Sequence, residues 1–109
     1  MICMIYSSKR QILLFYNSNG IAAKEKQLSV LNSQLKEMQE RDIEIHTYDV
    51  SNTAAAKQWK VSSKTPFTFI LVGKDGGEKM RTDTVVSTAQ LFAIIDAMPM
   101  RKNEMKKKQ

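Results

Sequence analysis

Two unbroken apolar runs frame the chain, Gln11–Tyr16 (QILLFY) and Phe67–Val72 (FTFILV). Each is too short for a helix and is bounded by turn formers, which predicts a strand buried on both faces of a sheet. Pro66 stands at the start of the second run, where a missing N–H costs no ladder bond. Between the runs, Leu28, Leu31, Leu35 and Met38 recur at spacings of three, four and three. That stripe predicts one helix from about residue 21 to 41, with Glu37 and Arg41 in the favourable i, i+4 order. Ile43 and Ile45 then alternate with Glu44 and His46, as in a strand at a sheet edge over residues 43–50. Ser51-Asn52 predicts the cap of a short helix over 53–59, with Trp59 and Val61 in the core. Gly73-Lys-Asp-Gly-Gly77 predicts a hairpin with Asp75-Gly76 in a type I′ turn, returning through 78–82. Ser87-Thr-Ala-Gln90 reads as a capping box. It opens a helix that turns Leu91, Phe92, Ile94, Ile95 and Met98 inward and stops near Met98, because Pro99 cannot continue it.

The order of elements is therefore β-α-β, short α, β-hairpin, α. A right-handed crossover makes the first two strands parallel. With helices on both faces, this is an α/β plan with a four-stranded mixed sheet. It predicts one domain over 1–101 and a basic, disordered tail over 102–109.

Charge sharpens that division. The chain carries a net +6. Residues 101–109 account for +4 of it and the other 100 residues for only +2. The tail lacks interleaved aromatics to stack on bases, so it reads as solvated, with weak nucleic-acid binding as an alternative. The single cysteine, Cys3, allows no internal disulfide. One cysteine and one histidine, His46, do not make a zinc site without several carboxylates, so no metal and no cofactor is expected. His46 has no serine or cysteine partner that the sequence places beside it and reads as a surface residue. No apolar run approaches the roughly 18 residues that span a bilayer. No signal peptide is visible in the sequence as given, and the compartment and oligomeric state stay open.

The plan resembles the thioredoxin fold, and the resemblance implies the strand order 2-1-3-4. Thioredoxins carry an apolar strand like residues 12–16, an aromatic-x-Val helix ending like Trp59-Lys-Val61, and a proline like Pro66 before the third strand. The resemblance implies a cis Thr65–Pro66 bond. It also locates where the redox cysteines would stand, in the turn entering the first helix. That turn is Asn17-Ser-Asn-Gly20 here, with no cysteine, and Cys3 is out of register with it. Thiol exchange needs a thiolate at that helix end, so oxidoreductase or peroxidase activity is not expected. A narrower set of motifs, Arg41-Asp42, GKDGG with Lys79 and Arg81, and Ile95-Asp-Ala-Met-Pro-Met-Arg101, is similar to a bacterial domain-of-unknown-function family. That family is thioredoxin-like and similar to the domains of sushi-repeat-containing extracellular proteins and equarin. The resemblance implies the fold and, for bacterial members, frequent export; it implies no established reaction.

Two poles carry the candidate chemistry. The turn at Asn17, Ser18, Asn19 and Gly20, beside Pro66, is a candidate anion site at a helix N-terminus, or Ser18 or Asn19 simply caps the helix. At the opposite pole the topology delivers Arg41, Asp42, Lys74, Asp75, Lys79, Arg81, Asp96 and Arg101. Those charges either pair and tie the helix ends to the hairpin, or leave cations free for an anionic ligand or an acidic partner surface. The sequence reads best as a thioredoxin-like module without redox cysteines that binds a small anionic ligand or a protein. The alternative is a small enzyme using the charged pole or the Asn17–Gly20 end, but no nucleophile–base pair can be named for it.

Overall fold

The computed structural model describes residues 9–51 and 53–107. The strands are β1 (Arg10–Tyr16), β2 (Ile43–Asp49), β3 (Phe67–Val72) and β4 (Glu78–Thr82). They lie in the order β2-β1-β3-β4. β1 is parallel to β2 and antiparallel to β3, and β4 returns antiparallel on β3. The helices are α1 (Ile21–Asn32), α2 (Leu35–Glu40), α3 (Thr53–Gln58), α4 (Thr88–Asp96) and α5 (Pro99–Lys107).

The two apolar runs form the central strands, and every residue of β3 is buried. Alternation divides their side chains between two cores. Ile12, Leu14, Phe67, Phe69 and Leu71 meet Leu31, Met38, Leu91 and Ile95 from α1, α2 and α4. On the other face, Leu13, Phe15, Ile70 and Val72 meet Val50 and Ala56, with Trp59 and Val61 partly buried around them. β2 is an edge strand, in keeping with its half-dry alternation.

Five local expectations need correction. The 21–41 helix is two helices. Ser33 Oγ donates to the Val30 carbonyl at 2.6 Å, and Gln34 leaves helical geometry at φ −132°. Asn32 and Ser33 are residue types whose side chains compete for the backbone. The break rotates Leu35 out of the stripe, and it is 52% exposed. Second, the Thr65–Pro66 bond is trans, since no described peptide bond is cis. Trans is the lower-energy isomer, and here the Pro66 carbonyl extends the β1–β3 ladder by accepting from Asn17 N–H at 3.0 Å.

Third, the hairpin is not type I′, because only Gly76 has positive φ (83°) and Asp75 does not. Gly76 N–H donates to Gly73 O at 3.0 Å and Gly73 N–H to Gly77 O at 2.9 Å. This is a three-residue loop with a left-handed glycine. Fourth, residues 102–107 continue a helix rather than a disordered tail, with Pro99 at its first position, where a missing N–H is harmless. Fifth, neither Ser18 nor Asn19 caps α1; the N-cap is Gly20 and no side chain caps it. Ser87 does cap α4, accepting from Gln90 N–H at 3.1 Å. The Ser51-Asn52 cap and Cys3 involve residues outside those described.

Gln27 splints the approach to α4. Its fully buried side chain donates to Val86 O at 2.9 Å and accepts from Val86 N–H at 2.7 Å, as a neighbouring strand would. Gln27→Leu leaves both backbone groups unpaired and is expected to cost about 2–4 kcal/mol. Urea denaturation measures it, and a loss under about 0.5 kcal/mol would show that the 83–86 segment finds other partners. Gly20 packs so closely on Pro66 that an added Cβ would overlap the Pro66 carbonyl oxygen. Gly20→Ala is accordingly expected to lose about 1–3 kcal/mol in the same assay, and an unchanged midpoint would mean that the β1–α1 turn yields freely.

Candidate functional site

At the end of the sheet where β1 begins and the β3–β4 hairpin turns, three arginines are buried: Arg10, Arg41 and Arg101. Arg41, at the end of α2, makes a two-pronged contact with Asp96 from the last turn of α4. Its Nε donates to Oδ1 at 3.1 Å and its Nη2 to Oδ2 at 2.9 Å. Nη1 donates to the Glu37 carboxylate at 2.9 Å and to the Glu37 carbonyl at 3.0 Å. The guanidinium lies over the Phe92 ring, 4.1 Å from its centre. Arg101, in α5, approaches Asp96 Oδ1 as well, its Nε at 3.1 Å. Its Nη groups reach the Glu40 carbonyl and carboxylate, both at 3.2 Å.

Arg10 opens β1, and its backbone N–H donates to Asp42 O at 2.7 Å. Its Nη1 donates to Arg41 O at 2.8 Å. Its Nη groups grip the two oxygens of Glu104 in α5 at 3.3 and 3.2 Å. Lys74 in the hairpin closes the ring, with Glu104 at 2.7 Å and Asp42 at 2.9 Å. Asp42 takes the left-handed φ of 53° that ends α2 and starts β2.

The four cations Arg10, Arg41, Lys74 and Arg101 thus face five carboxylates, Glu37, Glu40, Asp42, Asp96 and Glu104. Lys79 pairs with Asp75 across the hairpin at 2.7 Å. Arg81 lies apart from this network. It holds Glu78 at 2.8 Å and donates to the Trp59 and Lys60 carbonyls at the end of α3. Of the sequence-predicted pole residues, Arg41, Asp42, Lys74, Asp96 and Arg101 come together, Lys79 and Asp75 flank them, and Arg81 does not join.

Arg10 and Glu104 were not among the sequence candidates. Arg10 follows a stretch without clear periodicity. Glu104 sits in a lysine-rich segment, where its being the one carboxylate of residues 101–109 was the available signal.

Between the hairpin and the α4–α5 corner lies a groove of about 470 Å³. Lys74 and Lys79 line it on the hairpin side, Ile94, Met98 and Pro99 on the other, and Arg10 also contributes to its wall. Arg10 is 1% exposed, and its Nε–H has no acceptor among the described residues.

At the opposite end of the sheet, Asn17 organises the turn into α1. Its Oδ1 accepts from Asn19 N–H at 2.7 Å and its Nδ2 donates to Ser63 O at 3.1 Å. Ser18 and Asn19 are exposed, and Gly20 packs on Pro66. Among the described residues no His, Cys, Asp and Glu side chains group as metal ligands. No described helix is long and apolar enough to cross a membrane.

A family model described as a domain of unknown function, DUF4174, matches residues 48–104, more than half of the chain. The chain belongs to that family. The match spans both the GKDGG hairpin and IDAMPMR. No curated protein matches the chain. Among solved structures, it is similar to thioredoxin-2 of a malaria parasite, described as a component of that parasite's protein secretion machinery. That likeness has 24% identity and a TM-score of 0.64, covering 83% of this chain and 84% of the other. Fasciola hepatica thioredoxin is similar at 20% identity and a TM-score of 0.62, covering 84% of each chain. Trxlp of Edwardsiella tarda is similar at 22% identity and a TM-score of 0.59, covering 82% of this chain and 84% of that one. At these identities the likeness establishes a thioredoxin-like fold alone.

The carboxylates of the network make it acid-sensitive. Burial pushes the Asp96 carboxyl up, but hydrogen bonds from Arg41 and Arg101 outweigh it and hold it below the usual range. Burial likewise opposes, and hydrogen bonds from Lys74 and Arg10 prevail, at Glu104. The Lys74 hydrogen bond lowers Asp42 against a smaller burial effect. Groups lowered on folding contribute stability that is complete above their unfolded pKa, about 4, and lost as pH falls through the folded value. Stability is expected to be level from about pH 7 to 5 and to fall below about pH 4. Asp96→Asn is expected to flatten that fall and to lose about 2–4 kcal/mol at pH 7, because the two buried guanidiniums lose their shared negative charge and one of its two acceptor oxygens while each keeps another carboxylate. Thermal unfolding across pH checks both, and a wild-type profile in the variant would remove Asp96 from its central place.

Proposed function

We propose that this thioredoxin-like chain is a binding module that does not use thiol chemistry and that it takes a small anionic ligand in the groove at its charged pole. The observation that carries this reading is how the pole's charges are distributed. Arg41 and Arg101 are consumed by Asp96, Glu37 and Glu40, so they tie α2, α4 and α5 together. What opens to solvent beside them is a recess with Lys74, Lys79 and Arg10 in its wall, where each cation has a carboxylate on one side and Arg10 keeps an unpaired Nε–H. Its volume lies within the roughly 300–1,000 Å³ usual for small-molecule sites. The turn into α1, where thiol exchange would need a thiolate, holds Asn17, Ser18, Asn19 and Gly20 instead. The hairpin and IDAMPMR motifs support a bacterial source and kinship with the domains of sushi-repeat-containing proteins and equarin.

The test is an amide chemical-shift titration of the full chain with a panel of small carboxylates and phosphates. Saturable shifts are expected at residues 73–79 and 94–99. Saturable shifts confined to Asn17–Gly20 and Pro66 would move the site to the other pole. The absence of any saturable shift would overturn the binding reading.

A further inference from the structure

Arg10 has a distinctive place in the groove. A guanidinium carries five N–H donors. Those on Nη1 and Nη2 are directed at the Arg41 carbonyl and at both oxygens of Glu104. Nε–H, equally removed from water, is the one buried side-chain polar group among the described residues without a partner. A buried donor left unpaired costs about 1–3 kcal/mol, and more on a charged group. The same side chain lines the groove, so an acceptor atom that reached Nε–H from there would relieve that cost.

The rest of the lining decides what kind of molecule brings the acceptor. Lys74 is already bonded to Asp42 and Glu104, and Lys79 to Asp75. The lining thus holds three cations, Arg10, Lys74 and Lys79, each already paired with Glu104, Asp42 or Asp75, and one unpaired buried donor. A head that needs a single strong hydrogen bond and carries one negative charge matches this better than a phosphate, whose several oxygens would compete for lysines in use. The opposite wall is apolar: Ile94, Ala97, Met98 and Pro99 present hydrocarbon. We infer that the groove binds an aliphatic carboxylate, its head accepting from Arg10 Nε–H and its chain lying along the α4–α5 corner. This inference rests on the binding reading above and specifies its ligand.

The experiment is a titration of the full chain, below micellar concentrations, with sodium octanoate, observing both the backbone amides and the Arg10 Nε–Hε resonance. Acetate, octanol and octyl phosphate serve as comparisons. Octanoate is expected to saturate at one site, shift residues 73–79 and 94–99, and move the Arg10 Hε proton downfield as it gains an acceptor. Acetate and octanol, each lacking one half of the ligand, are expected to bind at least about tenfold more weakly, the scale of one charge-assisted hydrogen bond or a few buried methylenes. Ala97→Glu, which places a carboxylate at an exposed position in the groove wall, is expected to weaken octanoate by about tenfold or more with an unchanged thermal midpoint.

Groove shifts with an unmoved Arg10 Hε, or tighter binding of octyl phosphate than of octanoate, would overturn the carboxylate assignment while leaving the binding reading in place. No saturable shift with any of the four probes, nor with the wider panel, would overturn both.

Discussion

The Asp96 carboxylate is the joint on which the charged pole turns. It sits at the last turn of α4 and accepts from Arg41, which ends α2, and from Arg101, which belongs to α5. Three helices are thereby fixed by two oxygens. An ion pair of this kind adds little net stability, because desolvation cancels most of the attraction, but losing one partner strands a buried charge. Its contribution is geometric. The flat two-pronged contact allows one orientation of Arg41, and that orientation also places the guanidinium over Phe92 and within reach of Glu37.

The rest of the pole follows from that joint. With α5 held at Arg101, Glu104 one turn later reaches Arg10 and Lys74, and so links the first strand, the hairpin and the last helix. The hairpin contributes Lys74 because its loop has a single left-handed residue, Gly76, and closes on the Gly73–Gly77 pair. Gln27 performs a comparable service with uncharged groups, holding the 83–86 segment so that α4 starts at Ser87 and ends with Asp96 at the pole. The groove remains open beside these contacts because α4 ends at Asp96 and α5 begins afresh at Pro99, leaving a corner where neither helix packs onto the hairpin.

Much of this was legible in the residues. QILLFY and FTFILV read as central strands, the crossover rule made β1 and β2 parallel, and the resemblance to the thioredoxin plan supplied the sheet order. Topology alone brought Arg41, Asp42, Lys74, Asp96 and Arg101 to one end. What escaped depends on tertiary contacts that leave no periodic trace. The break after Asn32 is decided by a hydroxyl bonding back to Val30, while the apolar spacing runs on through it to Leu35. The bond before Pro66 is trans, and the Pro66 carbonyl beside it makes a ladder contact with Asn17. Helix α5 has no apolar stripe, and Glu104 among lysines looks like a solvated charge until Arg10 is placed opposite it. Arg10 was hidden for the complementary reason: an arginine at the rim of an apolar strand is ordinarily exposed, and this one is buried because its carboxylate arrives from ninety-four positions away.

That separation bears on the order of events as the chain is made. Synthesis delivers β1 ninety-four positions ahead of Glu104, so Arg10 lacks that carboxylate while the rest of the sheet is already available to collapse. A compact intermediate that buried Arg10 early would hold an uncompensated charge, which disfavours closing this end of the sheet ahead of time. The far pole, where Asn17, Gly20 and Pro66 meet through backbone contacts, is under no such restraint. The two ends of the sheet are therefore timed differently: the Asn17–Pro66 end can consolidate as soon as β3 is present, whereas the charged end waits for α5.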